Sequence, residues 1–363
     1  MDSITHIVLG GCLGQVTLGK QAGRKAVLWG AIADTVPDLD VFLGPFVHPV
    51  QSLLTHRGFT HSILFAAVFP LIMGKFLARL YRKDEIPREP VPREIVSQEL
   101  IPWWKWAILI GLGTFSHIFI DSLTNYGTGL LEPFCNHRFS YTTIFIADPL
   151  FTLPMLLTFF VLLFKKVSLP FKNKMAKTAL ILSGIYLCWT IYNRTFFESH
   201  FEDQLASQQI PFSEQSLTPS PLNNILWSTI AKSDSGFYQG HYSLMDDSAR
   251  VNFNYIPAQK ELAAAFIDIK EYQLLERFAK GYSCVSILQD GLPYFHDLRF
   301  GTTKGWRPAI GDFTFNYPLQ LDSTDNKMLI ESSPWNMARF EGLGDLWERV
   351  TGNCGVELNH LGH

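Results

Sequence analysis

Four long apolar stretches place the strongest constraint on how this chain can fold. Each has about 16 to 20 residues, which is close to the length of helix that crosses a ~30 Å hydrocarbon core. Charged residues make up only 17% of the chain, against roughly 25% in soluble domains. The pattern predicts spanning helices at Ile63 to Tyr81, Trp103 to Ile120, Pro149 to Phe164 and Ala176 to Tyr192.

The N-terminal region is also apolar, but a basic turn interrupts it. Lys20, Arg24 and Lys25 separate the segment Ile4 to Leu18 from the segment Ala26 to Leu43. Both segments are shorter than a full span, so we predict a helical hairpin within the membrane. No basic stretch precedes the first segment, and His6 interrupts it, so a cleavable signal peptide is the weaker interpretation.

Basic residues predict how these segments are oriented. They concentrate in the segments Arg79 to Lys105 and Lys165 to Lys177, and in the first turn. The positive-inside rule places all three in the cytoplasm. Threading six spans through these points leaves everything after Asn193 outside. We therefore predict a multi-pass protein of the cell inner membrane with an extracytoplasmic C-terminus.

The character of the sequence changes near Thr195. The segments Gly236 to Leu244 and Val251 to Tyr255 alternate with a period near two, which predicts strands. The segment Lys260 to Phe278 has the apolar spacing of an amphipathic helix. The expected fold is mainly α, with a polytopic helical membrane bundle followed by an α+β extramembrane domain. The predicted domains are residues 1–194, which carry the candidate site, and residues 195–363, which form a soluble domain.

Charge and cysteine usage exclude other classes. A net charge of −3 gives no basic surface for nucleic acid, so nucleic acid is not an expected partner. The five cysteines show no zinc-finger spacing. The sequence leaves open whether Cys284 and Cys354 form a disulfide.

Histidine and aspartate residues recur beside the apolar stretches. An ionisable residue at membrane depth is costly and therefore marks a candidate functional site. The predicted topology brings all of these residues to the outer side, and the four-residue spacing of His117 and Asp121 puts both on one helical face. The motifs are His6, Asp34 with Asp38 and Asp40, His56 to His61, and His117 with Asp121.

These residue types indicate metal chemistry. Imidazole and carboxylate are the ligands expected for zinc and also suit manganese or iron, and a site rich in histidine favours zinc. A bound metal would activate water for hydrolysis, and Arg57 is suited to hold a phosphate. Any one of these residues is explained as well by a structural hydrogen bond between helices. The complete set favours a shared site.

The motifs also carry a family resemblance. Thr5-His6, Pro37-Asp38, His56-Arg57-Gly58-Phe59-Thr60-His61-Ser62 and the His117 to Asp121 motif, in this order, resemble the membrane-bound metal-dependent hydrolases of the YbcI/YdjM type. They are more distantly similar to zinc-dependent phospholipase C and related nucleases. The resemblance covers roughly the first 165 residues. It implies that the metal ligands are His6, Asp38, His56, His61, His117 and Asp121.

The resulting hypothesis is a membrane-bound metal-dependent hydrolase. Its expected substrate is a phosphoester or a phospholipid-like molecule, and its expected partners are membrane lipid and that small-molecule or lipid substrate. Arg57 would hold the substrate, and Asp40 or Asp34 would act as general base or as hydrogen-bond partner of a ligand. A non-catalytic membrane scaffold and a transporter with a structural metal or polar cluster are the alternatives.

Overall fold

The computed structural model describes residues 1–82, 100–302, 313–321, 328 and 343–352. The fold is mainly helical, with β-sheet in the C-terminal region. The chain divides into two compact units. The first comprises Met1–Phe42, His56–Tyr141 and Ile146–Trp189, and the second comprises Leu43–Thr55, Thr142–Phe145 and the chain from Thr190 onward.

The described helices are distributed over both units. They are α1 (Ser3–Ala22), α2 (Arg24–Ala33), α3 (Pro49–Thr55), α4 (Ile63–Arg82), α5 (Trp103–Ser122), α6 (Pro149–Leu163), α7 (Leu169–Ser207), α8 (Lys260–Ala264), α9 (Lys270–Ala279) and α10 (Leu343–Val350). Two 3-10 segments, Val36–Phe46 and Phe59–His61, lie between them. In the first unit α1, α2 and α4 all pack against α5.

The first two helices pack unusually closely. A Cβ atom built on Gly14 would lie 2.1 Å from the carbonyl oxygen of Ala26, and one on Gly30 would lie 2.1 Å from that of Gly10. Only glycine permits this approach of two backbones. The second helix ends at Ala33, earlier than the predicted end at Leu43. From Val36 the chain forms a 3-10 segment, because Pro37 has no N–H and disfavours α-helical backbone in the preceding residue.

Two of the described helices are long and apolar enough to cross a membrane. They are α4 and α7, and α6 is a shorter apolar helix. Large apolar side chains on both helices face outward, for example Ile72 and Ile181. Helices that expose such side chains fit a lipid environment, where lipid rather than protein covers them. The basic residues Lys83, Arg88 and Arg93 lie outside the described part of the chain.

The second unit contains two antiparallel sheets. One has the strand order β1 (Glu214–Pro219), β2 (Leu226–Lys232), β3 (Gly236–Ser243) and β4 (Phe253–Pro257), and the other has β5 (Ser283–Ile287), β6 (Pro293–Thr302) and β7 (Phe313–Pro318). Strands β3 and β4 fall where period-two alternation predicted them. The single amphipathic helix predicted from Lys260 to Phe278 is wrong. The chain instead forms α8 and α9, because the backbone turns after Ala264 and is extended at Ile269.

Aromatic and aliphatic side chains form the cores of the second unit. Phe197 and Phe201, from the end of α7, are fully buried with Trp227 of β2. Val50 of α3 is fully buried in a separate cluster with Leu275 of α9 and other residues. Full burial of one such side chain contributes roughly 1.5 to 3 kcal/mol. Cys284 is a buried free thiol, and Cys354 lies outside the described residues.

Candidate metal centre

Four ligand atoms of the first unit converge on one point. The Nε2 atoms of His61 and His117 lie 3.0 Å apart. Oδ1 of Asp38 lies 3.4 Å from the first nitrogen and 3.3 Å from the second. Oδ2 of Asp121 lies 3.5 Å from His61 Nε2 and 3.6 Å from His117 Nε2. All four atoms lie within 4.8 Å of one another, so two nitrogens and two oxygens are close enough together to hold one metal ion.

The spacing of these atoms fits a zinc ion. With metal–ligand bonds of about 2.0 to 2.1 Å, ligand atoms on a tetrahedral ion lie about 3.3 Å apart. Oδ2 of Asp121 is buried and makes no well-aligned hydrogen bond with the residues that the structure describes, and Nε of Arg57, 2.9 Å away, already balances part of its charge. The cluster therefore has the geometry and the donor set of a metal site.

The local fold explains why these side chains meet. His117 and Asp121 lie one turn apart at the C-terminal end of α5, so they share a face. His61 ends the short 3-10 segment that follows Gly58. Arg57, just before Gly58, has a positive φ of 60° and lies in the turn between α3 and this segment. Asp38 lies in the 3-10 segment that begins after α2.

Hydrogen bonds hold the two ligand imidazoles in place. Nδ1 of His117 lies 2.5 Å from the backbone carbonyl oxygen of Asp34. Nδ1 of His61 lies 3.2 Å from Oδ2 of Asp40. We assign the Nδ1 proton to both rings, which leaves each Nε2 lone pair directed at the cluster. Carboxylate and carbonyl partners of this kind fix the tautomer and the orientation of metal-binding histidines.

Asp40 lies beside the cluster and not within it. Its carboxylate accepts hydrogen bonds from the backbone N–H of Arg57 at 2.9 Å and from Thr60 Oγ1 at 2.9 Å. His56 Nδ1 lies 2.8 Å from Oδ1 of Asp40. Asp40 is therefore held as a carboxylate that positions its neighbours.

Two of the six predicted ligands, His6 and His56, do not belong to the group of four converging side chains. The His56 side chain is 29% exposed and bonds to Asp40. His6 is fully buried, with Nδ1 3.1 Å from Asp34 Oδ1 and Nε2 3.2 Å from Asp121 Oδ1. His6 also belongs to a second group of potential ligands, with Asp34 and His117. Since the hydrogen bond to the Asp34 carbonyl occupies Nδ1 of His117, the first group is the more complete metal site.

Protein groups already surround Arg57 and Asp121. The Arg57 side chain is 4% exposed, and its Nε lies 2.9 Å from Oδ2 of Asp121. Its Nη1 donates to Thr124 Oγ1 at 2.7 Å. The amino group of Met1 also contacts Asp121. The sequence patterns did not indicate Thr124, although it lies three residues after the predicted ligand Asp121.

The segments that supply the cluster also expose apolar side chains. In the first 3-10 segment Leu39 is 51% exposed, Val41 57% and Phe42 69%, whereas the alternate residues Asp38 and Asp40 turn inward. In the second 3-10 segment Phe59 is exposed, two residues before the buried His61. The metal cluster thus has an apolar rim formed by its own ligand-bearing segments.

Comparisons with known proteins add an independent finding. The inner membrane protein YbcI of Escherichia coli (strain K12) is 30% identical over 138 residues, which cover 38% of this chain and 69% of that protein. The uncharacterized protein YfhP of Bacillus subtilis (strain 168) is 28% identical over 156 residues, 41% of this chain and 42% of that protein. No solved structure matches the chain.

The whole cluster, from His6 to Asp121, lies within the part of the chain that matches a family model. Residues 1–197 match the family described as YdjM inner membrane protein. The match covers more than half of the chain and contains all of α4, α5 and α6. The protein therefore belongs to the YdjM inner membrane protein family.

Proposed function

We propose that this protein is a metal-dependent hydrolase of the inner membrane. The observation that carries the proposal is the convergence of His61 Nε2, His117 Nε2 and carboxylate oxygens of Asp38 and Asp121 within 4.8 Å of one another. Two imidazoles with two carboxylates favour zinc over magnesium or calcium, which prefer sites made of oxygen alone. When bound, such an ion supplies a more acidic water at neutral pH and a Lewis acid for a phosphoryl oxygen.

The remaining predicted site residues then have distinct roles. Asp34 and Asp40 orient the two ligand histidines through the hydrogen bonds at their Nδ1 atoms. Arg57 places a permanent positive charge at Asp121, where it would balance negative charge that develops on a phosphoryl group. His56 is the most exposed histidine beside the cluster, which suits it to exchange protons with solvent.

A phosphoester carried by a lipid is the substrate class that we propose. The supporting observation is the apolar rim of Leu39, Val41, Phe42 and Phe59. Exposed apolar residues next to a polar site are typical of surfaces that meet lipid. A substrate anchored in the membrane would bring its phosphate to the cluster while its chains stay among these side chains.

The proposed topology is the one that the basic loops predict. It has six spans, with the metal cluster at the outer face and an extracytoplasmic soluble domain from residue 195. Membrane lipid is the proposed partner, and nucleic acid is not. Alkaline phosphatase fused after His363 would be active in this orientation and inactive if the C-terminus were cytoplasmic.

Metal content is the first test of the function. Wild-type protein purified in detergent without chelator should hold zinc in a stoichiometric amount, and His117→Ala should hold almost none. The control is His137→Ala, because His137 is exposed and lies outside the ligand groups. Absence of bound metal from wild-type protein would overturn the proposal.

Turnover is the second test. Zinc-loaded wild-type protein should hydrolyse phospholipids in mixed micelles, and Asp121→Asn should lose this activity because it removes a charged ligand. A phosphodiester with a chromogenic leaving group tests the chemistry without the lipid chains. Stoichiometric zinc with no turnover of either substrate would contradict the hydrolase and favour a structural metal site.

A further inference from the structure

A second site lies at the opposite end of α4 and α5 from the metal cluster. A cleft of about 430 Å³ opens between the C-terminal end of α4 and the N-terminal end of α5. Its volume is within the range of small-molecule sites in proteins. Since α4 has 20 residues, its two ends lie about 30 Å apart, which is the thickness of a bilayer core.

Three cations line this cleft. Lys75, Arg79 and Arg82 follow each other at spacings of four and three residues, so they share one face of α4. All three are exposed. No acidic residue is among the described residues that line the cleft. The cleft therefore presents concentrated positive charge.

Aromatic side chains form the rest of the wall. Trp106 is 1% exposed, and its ring stacks on that of Tyr81 with centroids 5.5 Å apart. Nζ of Lys75 lies 5.5 Å from the centroid of Trp103. Tyrosine and tryptophan prefer the membrane–water interface, because their rings are apolar at one end and polar at the other. The combination of cations and aromatic rings suits a ligand with an anionic head and an apolar tail.

We propose that this cleft binds the headgroup of an anionic phospholipid. The basic side chains would hold the phosphate, and the aromatic wall would lie against the glycerol and the first carbons of the chains. Basic pockets between membrane helices bind anionic headgroups in this way. The first residues of α5, which include Trp103, add the positive end of a helix dipole. The lipid bound here is a structural or regulatory ligand, since the metal cluster lies at the other ends of these helices.

Native mass spectrometry of the full-length protein in detergent tests the proposal. Phosphatidylglycerol and phosphatidylcholine of the same chain length are added separately. Each cation near an anionic lipid contributes about fivefold, so the three together predict roughly a 100-fold preference for phosphatidylglycerol. The triple variant Lys75→Gln, Arg79→Gln, Arg82→Gln should bind both lipids equally.

A matched variant controls for the loss of three charges. Lys165, Lys166 and Lys174 are exposed and do not line the cleft, so replacing all three with Gln should leave the preference unchanged. Equal loss in both triple variants would show that total charge governs binding and would overturn the site. Helical circular dichroism checks that each variant is folded.

Free phosphate provides the last arm. Inorganic phosphate at millimolar concentration should not displace phosphatidylglycerol, because it has no chains to lie against the aromatic wall. Displacement at that concentration would mean that the cleft takes a soluble anion, which would also overturn the proposal. A wild-type protein with no preference between the two lipids would do the same.

Discussion

Buried ionisable groups are arranged differently in the two units of this molecule. In the first unit they converge. The carboxylate oxygens of Asp121 lie within 3.6 Å of side-chain nitrogens of four residues, which are Arg57, His6, His61 and His117. In the described part of the second unit, two arginines instead form ion pairs with aspartates. Arg299 Nη2 donates to Asp297 at 2.6 Å and Arg349 Nη1 donates to Asp246 at 2.5 Å, with both partners almost fully buried.

The difference distinguishes charged side chains that pair with each other from charged side chains that could together bind an additional ion. In an ion pair of arginine and aspartate the two charges neutralise each other. A cluster in which several side chains aim nitrogen and oxygen atoms at one point leaves room for an ion to complete it. Shared partners, rather than burial alone, therefore distinguish the candidate metal site from a structural ion pair.

The largest expected effect is the loss of stability on breaking one of the two buried ion pairs in the second unit. Arg299→Ala leaves the buried Asp297 carboxylate without its partner and should destabilise the protein by roughly 3 to 5 kcal/mol. Thermal unfolding followed by circular dichroism measures the loss. The double variant Asp297→Ala, Arg299→Ala should be less destabilised than Arg299→Ala, and a double variant of equal or lower stability would contradict the assignment as a simple pair.

A change beside the cluster should have a smaller effect, and it should act on metal affinity. Asp40→Asn keeps the shape of the side chain but weakens the acceptor for Nδ1 of His61. Partners of this kind typically change metal affinity by about 10- to 100-fold. Competition with a fluorescent zinc chelator measures the change. The control is Asp246→Asn, which changes the buried ion pair with Arg349 in the second unit and should leave zinc affinity unchanged. An equal loss of zinc affinity in both variants would contradict the role of Asp40 in positioning His61.

The smallest expected effect concerns the pH dependence of stability in the second unit. Burial, with a further contribution from Arg349, lowers the pKa of His241 from 6.5 to about 4. The unfolded chain therefore takes up a proton below pH 6.5 that the folded chain does not, and stability falls as the pH drops from 6.5 to 4. His241→Gln should reduce this loss by roughly 1 kcal/mol, since the half-buried ring is partly screened by solvent. If the melting temperature of His241→Gln depends on pH in the same way as that of the wild type, His241 does not contribute to the pH dependence of stability.

Much of the secondary structure follows from local patterns, and contacts distant in sequence decide the rest. The apolar stretch from Ile63 coincides with α4, and the alternating segments coincide with β3 and β4. The break between α8 and α9 was not predicted. The helical spacing of apolar residues continues across it, but the backbone leaves the helical conformation after Ala264 and is extended at Ile269.

The candidate site divides in a similar way. The spacing of His117 and Asp121 on one helix was sufficient to place them on one face. The roles of His56 and Asp40 depend on a hydrogen bond between residues 16 positions apart. No local pattern indicates which of two neighbouring histidines faces the cluster and which bonds to a carboxylate beside it.

Helix α3 limits where the chain can be divided into two fragments that fold. It comes early in the chain, yet Val50 is fully buried in a core whose other members begin at Tyr272. A chain cut near residue 194 would leave this valine without its neighbours and would give the downstream fragment a hole where the valine had been. The downstream fragment made alone should therefore be destabilised, and co-expression with the upstream fragment should restore its stability.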